Sequence, residues 1–198
     1  MSRLFAAASL AGGVLWICLG LHQAYTHGPE PANLERTLLG LTWMDSGKLL
    51  VVPLVLIAVG VVGLQRRRLD GGLFGRAGCP LTVGALFVLA VGIALKFWSF
   101  PWGSYSRGYW EPIVRYGGMI QVGGGIALIV SLLVFARELV LAGVMRSWMA
   151  FVLFVGGIST IDVDTAGAAF GGTWVLMGLV MLRGRGAQLP EMYGSSRR

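Results

Sequence analysis

The chain has 198 residues, 56% of them hydrophobic and only 13% charged, with a mean hydropathy of +0.74 and a formal net charge of +7. Soluble domains carry about 25% charged residues, so this density excludes a water-soluble globule and indicates an integral membrane protein. A spanning helix takes roughly 20 mainly apolar residues and six take about 120, which leaves short loops and no room for a soluble domain.

The first apolar run predicts a helix over 4–22, closed by His22-Gln23-Ala24-Tyr25-Thr26-His27. Met1-Ser2-Arg3 before it resembles the start of a signal peptide. The run is too long for a typical h-region and no A-x-A-like cleavage site follows, so it reads as a retained helix. A polar segment from Gly28 to Arg36 leads into Leu38–Trp43, which suits the membrane interface. The second helix covers 47–64, with a kink expected at Pro53. Arg66-Arg67-Arg68 stops it, and a Gly-rich connector carrying Arg76 leads to a third helix over 80–98, with Lys96 near its end.

The stretch from Phe97 to Tyr116 then holds eight of the chain's 21 aromatic residues, broken by Pro101, Gly103, Gly108 and Pro112. It reads as an aromatic cap at one membrane face. A fourth helix covers 117–137, Arg137-Glu138 opens a connector reaching Arg146, and a fifth helix covers 147–161. Asp162 and Asp164 form the turn before a sixth helix over 166–183, and 184–198 is a short polar tail.

Charge placement tests this map, because cytoplasmic loops of membrane proteins are enriched in Lys and Arg. With the N-terminus cytoplasmic, one set of ends holds Arg3, Arg66, Arg67, Arg68, Arg76, Arg137, Arg146, Arg183, Arg185, Arg197 and Arg198 against Asp70, Glu138 and Glu191. The other set holds Arg36, Lys48, Lys96, Arg107 and Arg115 against Glu30, Glu35, Asp45, Glu111, Asp162 and Asp164. The basic excess falls on alternate loops, as six crossings require. The expected fold is therefore all-α, a polytopic integral membrane bundle of six transmembrane helices with N- and C-termini cytoplasmic, in the plasma (inner) membrane. The +7 is explained as a topology signal without a nucleic-acid partner. Fourteen of the 16 basic residues are Arg, which points to a GC-rich bacterial genome.

Small residues mark the packing faces: Ala7-x-x-x-Ala11, Gly60 and Gly63, Gly117-Gly118, Gly123-Gly124-Gly125, Gly156-Gly157 and Gly167-x-x-x-Gly171. Lipid supplies no hydrophobic drive between helices, so close backbone approach at such positions provides dispersion contacts. Most serve bundle packing, and a homo-oligomer interface on the fourth or sixth helix is the other use. Cys18 and Cys79 lie at different depths, too far apart for a disulfide.

Ionisable and aromatic groups collect on the side away from the cytoplasm. The candidate ligand-binding residues are Trp98, Trp102, Tyr105, Arg107, Tyr109, Trp110 and Glu111 of the cap, Asp162 and Asp164, and His22 with Tyr25. Ionisable groups at membrane depth are costly and mark function by default. From Trp148 only about 14 apolar residues precede Asp162, roughly 21 Å of helix, against a core about 30 Å thick. Either the fifth helix starts earlier, or the Asp turn sits below the surface in a watery vestibule. There the two carboxylates would bind a cation or share a proton. A solvated turn with one Asp capping the next helix is the plainer account. His22 and His27 lie five residues apart and do not share a helix face. They read as interfacial histidines in water, and a mixed metal site with Asp162 and Asp164 is the weaker alternative. Trp and Tyr also favour the headgroup level in ordinary aromatic belts. A dense aromatic loop with Arg107, Glu111 and Arg115 equally suits stacking on a flat or cationic ligand, or docking of a subunit.

No P-loop, G-x-S-x-G or H-E-x-x-H signature is present, and no cofactor is indicated. Three functional classes follow: binding or transport of a small solute or ion through an outer vestibule; an accessory subunit of a larger membrane complex; and, last for want of a nucleophile–base constellation, a membrane enzyme acting on lipid or quinone. With Ala7 and Ala11 on the first helix, the layout is similar to the six-helix substrate-binding components of energy-coupling vitamin transporters, a likeness of arrangement without a shared motif.

Overall fold

The computed structural model describes residues 2–26, 40–66, 77–100, 102, 112–160 and 167–183. Seven helices are present among them: α1 (Ser2–Thr26), α2 (Trp43–Leu49), α3 (Val51–Gln65), α4 (Gly78–Phe97), α5 (Pro112–Leu141), α6 (Ser147–Ile158) and α7 (Gly167–Arg183). Four rods are long and apolar enough to cross a membrane: Arg3–Thr26, the α2–α3 pair Trp43–Gln65, α4 and α5. α6 and α7 are shorter apolar helices.

Local chemistry sets the breaks. Thr42 opens α2 with a capping box: its hydroxyl accepts from the Asp45 N–H at 3.2 Å, and the Asp45 carboxylate accepts from the Thr42 N–H at 3.2 Å. Pro53 has no N–H to give the carbonyl four residues back, Leu49, and the helix is interrupted there, at Leu50. The expected Pro53 kink is therefore a division between α2 and α3. Pro112 begins α5, the position where a missing N–H costs nothing. α5 ends in a Schellman motif: Val144 N–H bonds the Leu139 carbonyl at 2.9 Å, Gly143 N–H bonds Val140 at 3.0 Å, and Gly143 takes φ +67.

Neighbours in the chain pack side by side, α1 on α3, α3 on α4, α4 on α5, α5 on α6 and α6 on α7, and α7 closes the ring against α1. The registers are antiparallel. Gly63 faces Phe5 and Gly60 faces Ser9 between α3 and α1, while Gly178 faces Leu10 and Gly171 faces Gly13 between α7 and α1. Between α4 and α5, Gly117 lies on the Lys96 backbone, Gly124 on Leu89, and Gly78 on Phe135. A Cβ at Gly171 would stand 2.5 Å from the Gly13 carbonyl oxygen, so these backbones touch as the small residues predict. Trp16, Phe170 and Trp174 fill the α1–α7 core edge to face, with centroids 5.2 and 6.2 Å apart.

Several expectations need correction. Ala7 and Ala11 face outward; α1 packs instead through Ala6, Ser9, Gly12, Gly13 and Trp16. Gly118 and Gly123 also face outward, with nothing within 4 Å of an added Cβ. Glu138 belongs to α5 rather than to a connector, and its buried carboxylate accepts the Gly78 N–H at 3.0 Å, capping α4 from the neighbouring helix. Cys79 is buried in the first turn of α4, not in a connector. Trp43 is 6% exposed rather than interfacial, because α2 tucks inside the bundle.

The outer surface is apolar. Phe87 and Phe151 are 69% and 67% exposed, alongside Val55, Val130 and Leu133, a surface suited to lipid and not to water. The antiparallel register places α1's start and α7's end together, and Arg3, Arg66, Arg137 and Arg183 lie exposed at that basic end.

Candidate functional site

The opposite end is built around α2. Its sequence, Trp43-Met44-Asp45-Ser46-Gly47-Lys48-Leu49, is polar enough for a surface loop, yet Trp43 through Lys48 are all buried. Gly47 permits this: a Cβ there would run into the Phe97 ring, so only glycine lets α2 press onto the end of α4. Trp43 and Phe97 meet edge to face at 5.1 Å.

An ion pair is folded into this contact. The Lys48 ammonium lies 3.4 Å from Asp45 Oδ1, with the two side chains 2% and 4% exposed. Asp45 Oδ2 accepts from the Thr42 hydroxyl at 2.8 Å as well as from its N–H. The Lys48 ammonium also sits over the Trp102 ring, 4.5 Å from the centroid, and the Lys48 carbonyl accepts the Trp98 indole N–H at 3.1 Å. A second ammonium, that of Lys96, lies over Phe97 at 4.9 Å and Trp43 at 5.5 Å. From α1, the fully buried Gln23 donates its amide to the Trp43 carbonyl at 3.5 Å, while its Oε1 has no partner. His22 is buried beside it, with its carbonyl accepting the Thr26 hydroxyl at 2.8 Å.

The sequence candidates divide accordingly. Trp98 and Trp102 are 62% and 61% exposed and converge on Lys48. His22 is 6% exposed, a correction to its reading as a histidine in water: the C-terminal turn of α1 is covered by α2. Tyr25 is 55% exposed, on the outer surface of α1. Tyr105, Arg107, Tyr109, Trp110, Glu111, Asp162, Asp164 and His27 lie outside the described residues. Arg115 and Tyr116 belong to the first two turns of α5 rather than to an irregular cap. Among the described residues, no group of three His, Cys, Asp or Glu side chains forms a metal site.

Sequence reasoning passed over Asp45, Lys48, Gln23 and Trp43. A signal was present, since Thr42-x-x-Asp45 before an apolar run is the pattern of a capping box. It marks a helix starting ahead of Lys48, which places the Asp45–Lys48 pair on that helix at i,i+3 spacing.

α6 begins only at Ser147, so it does not extend into the connector, and its 12 residues make about 18 Å. Gly157 near its end lies beside Ile129, and α5 continues another 17 residues toward Pro112, about 25 Å further. Ser159 and Thr160 close α6 by bonding the Gly156 and Gly157 carbonyls at 2.7 Å, and both are buried. Gly167, where α7 resumes, packs beside Gly20 of α1, six residues or about 9 Å short of Thr26. Among the described residues, α6 and α7 therefore end below the tips of α1 and α5.

Comparison of the chain with protein-family models, with curated proteins and with solved structures gave no match.

Proposed function

We propose that the chain crosses the plasma (inner) membrane six times with both ends cytoplasmic, and that it binds, and by that binding transports, a small solute or ion at its outer end. The observation that carries this reading is the buried Asp45–Lys48 pair bordered by Trp102 and Trp98, with Gln23 on the neighbouring Trp43 carbonyl. Elsewhere α1, α3 and α4 pack largely through apolar side chains and glycines, so a buried ion pair stands apart from the rest of the bundle. Charges held at a bundle's end are expensive to desolvate and serve solute paths. The early ends of the described α6 and α7 helices support an approach from the same face, and Asp162, Asp164, Tyr105, Arg107, Tyr109, Trp110 and Glu111 are further residues of the proposed ligand set. Native mass spectrometry from mild detergent tests this: a small molecule should co-purify with the wild type and be lost from Lys48→Met and Trp102→Ala. A wild type that carries and binds no small molecule refutes it.

A second reading is an accessory subunit or homo-oligomer. The half of α5 beyond the end of α6 exposes Tyr116, Met119, Val122 and Ile126 beside the outward Gly118 and Gly123. Such a face lets another spanning helix approach closely, and partner proteins in the same mass spectra favour it.

A further inference from the structure

We infer that the solute held at this end is an oxyanion, a carboxylate or phosphate, anchored by the Lys96 ammonium and bearing a hydrogen-bond donor that reaches Gln23. The inference rests on the solute reading above and specifies its ligand. Lys96 stands at the last turn of α4, half-buried, with its ammonium against the Trp43 and Phe97 rings. Ring faces attract a cation but do not neutralise it. Among the described residues, no carboxylate lies within ion-pair distance of Lys96, whereas Lys48 has Asp45. A partly desolvated ammonium without a counter-charge favours a ligand that brings one.

One further observation points the same way. Gln23, at 0% exposure, has a carbonyl oxygen with no donor, and an unmet buried acceptor is costly unless a partner arrives. Lys96 touches the Trp43 ring and Gln23 the Trp43 carbonyl, so both groups border the same residue. A hydroxylated or amino oxyanion has that chemistry, whether it is a free solute or the headgroup of an anionic lipid.

The test uses the full chain in nanodiscs of phosphatidylcholine, titrated with glycerol 3-phosphate or with choline and followed by tryptophan fluorescence. A parallel set contains phosphatidylglycerol and is read by native mass spectrometry for retained lipid. Glycerol 3-phosphate should bind the wild type and Lys96→Arg alike and bind Lys96→Gln about tenfold more weakly, as loss of a charge-assisted contact predicts. On the wild type alone, binding should weaken as salt rises from about 0.05 to about 0.5 M, because screening shortens the reach of the ammonium. Phosphatidylglycerol retained through Lys96, with glycerol 3-phosphate unbound, also supports the assignment and identifies the source as a headgroup. Equal oxyanion binding by Lys96→Gln and wild type overturns it. Preference for choline overturns it too, while leaving the solute reading intact; failure of all three probes removes both.

Discussion

Breaking the Asp45–Lys48 pair from one side should destabilise the protein far more than removing both charges. At an effective dielectric of about 20, unit charges 3.4 Å apart attract by about 5 kcal/mol. Desolvation of two side chains exposed by only 2% and 4% offsets most of that gain. The pair's net worth is therefore small, but Lys48→Met leaves the carboxylate buried without its ammonium, which costs about 3–5 kcal/mol. Asp45→Asn should cost a similar amount through the stranded ammonium, although the Asn side-chain oxygen still accepts from Thr42 at the start of α2. The double variant should return to within about 1 kcal/mol of wild type, giving a coupling of several kcal/mol in a double-mutant cycle. Unfolding in mixed micelles by added dodecyl sulfate, followed by tryptophan fluorescence, measures each variant. Single variants indistinguishable from wild type would refute the reasoning, since the pair would then be solvated and worth the fraction of a kcal/mol typical of surface ion pairs.

Other expectations follow from the packing. Gly171→Leu should abolish a monodisperse peak in fluorescence-detected size-exclusion chromatography, because its Cβ meets the Gly13 carbonyl at 2.5 Å and the Ile17 side chain at 2.7 Å. Gly123→Leu, which meets nothing within 4 Å, should leave that peak unchanged unless α5 holds a partner, in which case the peak shifts to a smaller species. Glu138→Ala should lower stability by about 1 kcal/mol through the lost α4 cap, and Glu138→Gln by less, as read from thermal melts. In a background without Cys18 and Cys79, an impermeant thiol reagent on intact cells should label Ser104→Cys and spare Gly72→Cys; the reverse pattern would invert the proposed topology.

The rods of this bundle are plain in the chain because each is a long apolar run, and the break near Pro53 follows from a missing N–H. Which side of each rod faces inward is less plain. α1 is apolar all round, so periodicity does not distinguish the buried Gly12-Gly13 side from the exposed Ala7 and Ala11 side. α2 was obscured for a different reason. Asp45, Ser46 and Lys48 are residues of a surface turn, and their burial depends on Gln23, 20 positions before Trp43, and on Trp98, 50 positions after Lys48. Tertiary contact overrode local composition there. The placing of Trp98 and Trp102 at one end was legible, while the ion pair beside them was not.

The unequal lengths of α5 and α6 have a consequence for the surrounding lipid. A rod of 30 residues spans about 45 Å and one of 12 residues about 18 Å, so a bilayer of uniform thickness fits neither flank. In the proposed six-crossing arrangement, acyl chains beside α6 would shorten or disorder while α5 tilts or projects beyond the headgroups, and each ångström of mismatch carries a modest energetic penalty. Membranes built from shorter chains relieve the α6 flank and thicker ones strain it, which makes membrane thickness itself a variable acting on this bundle.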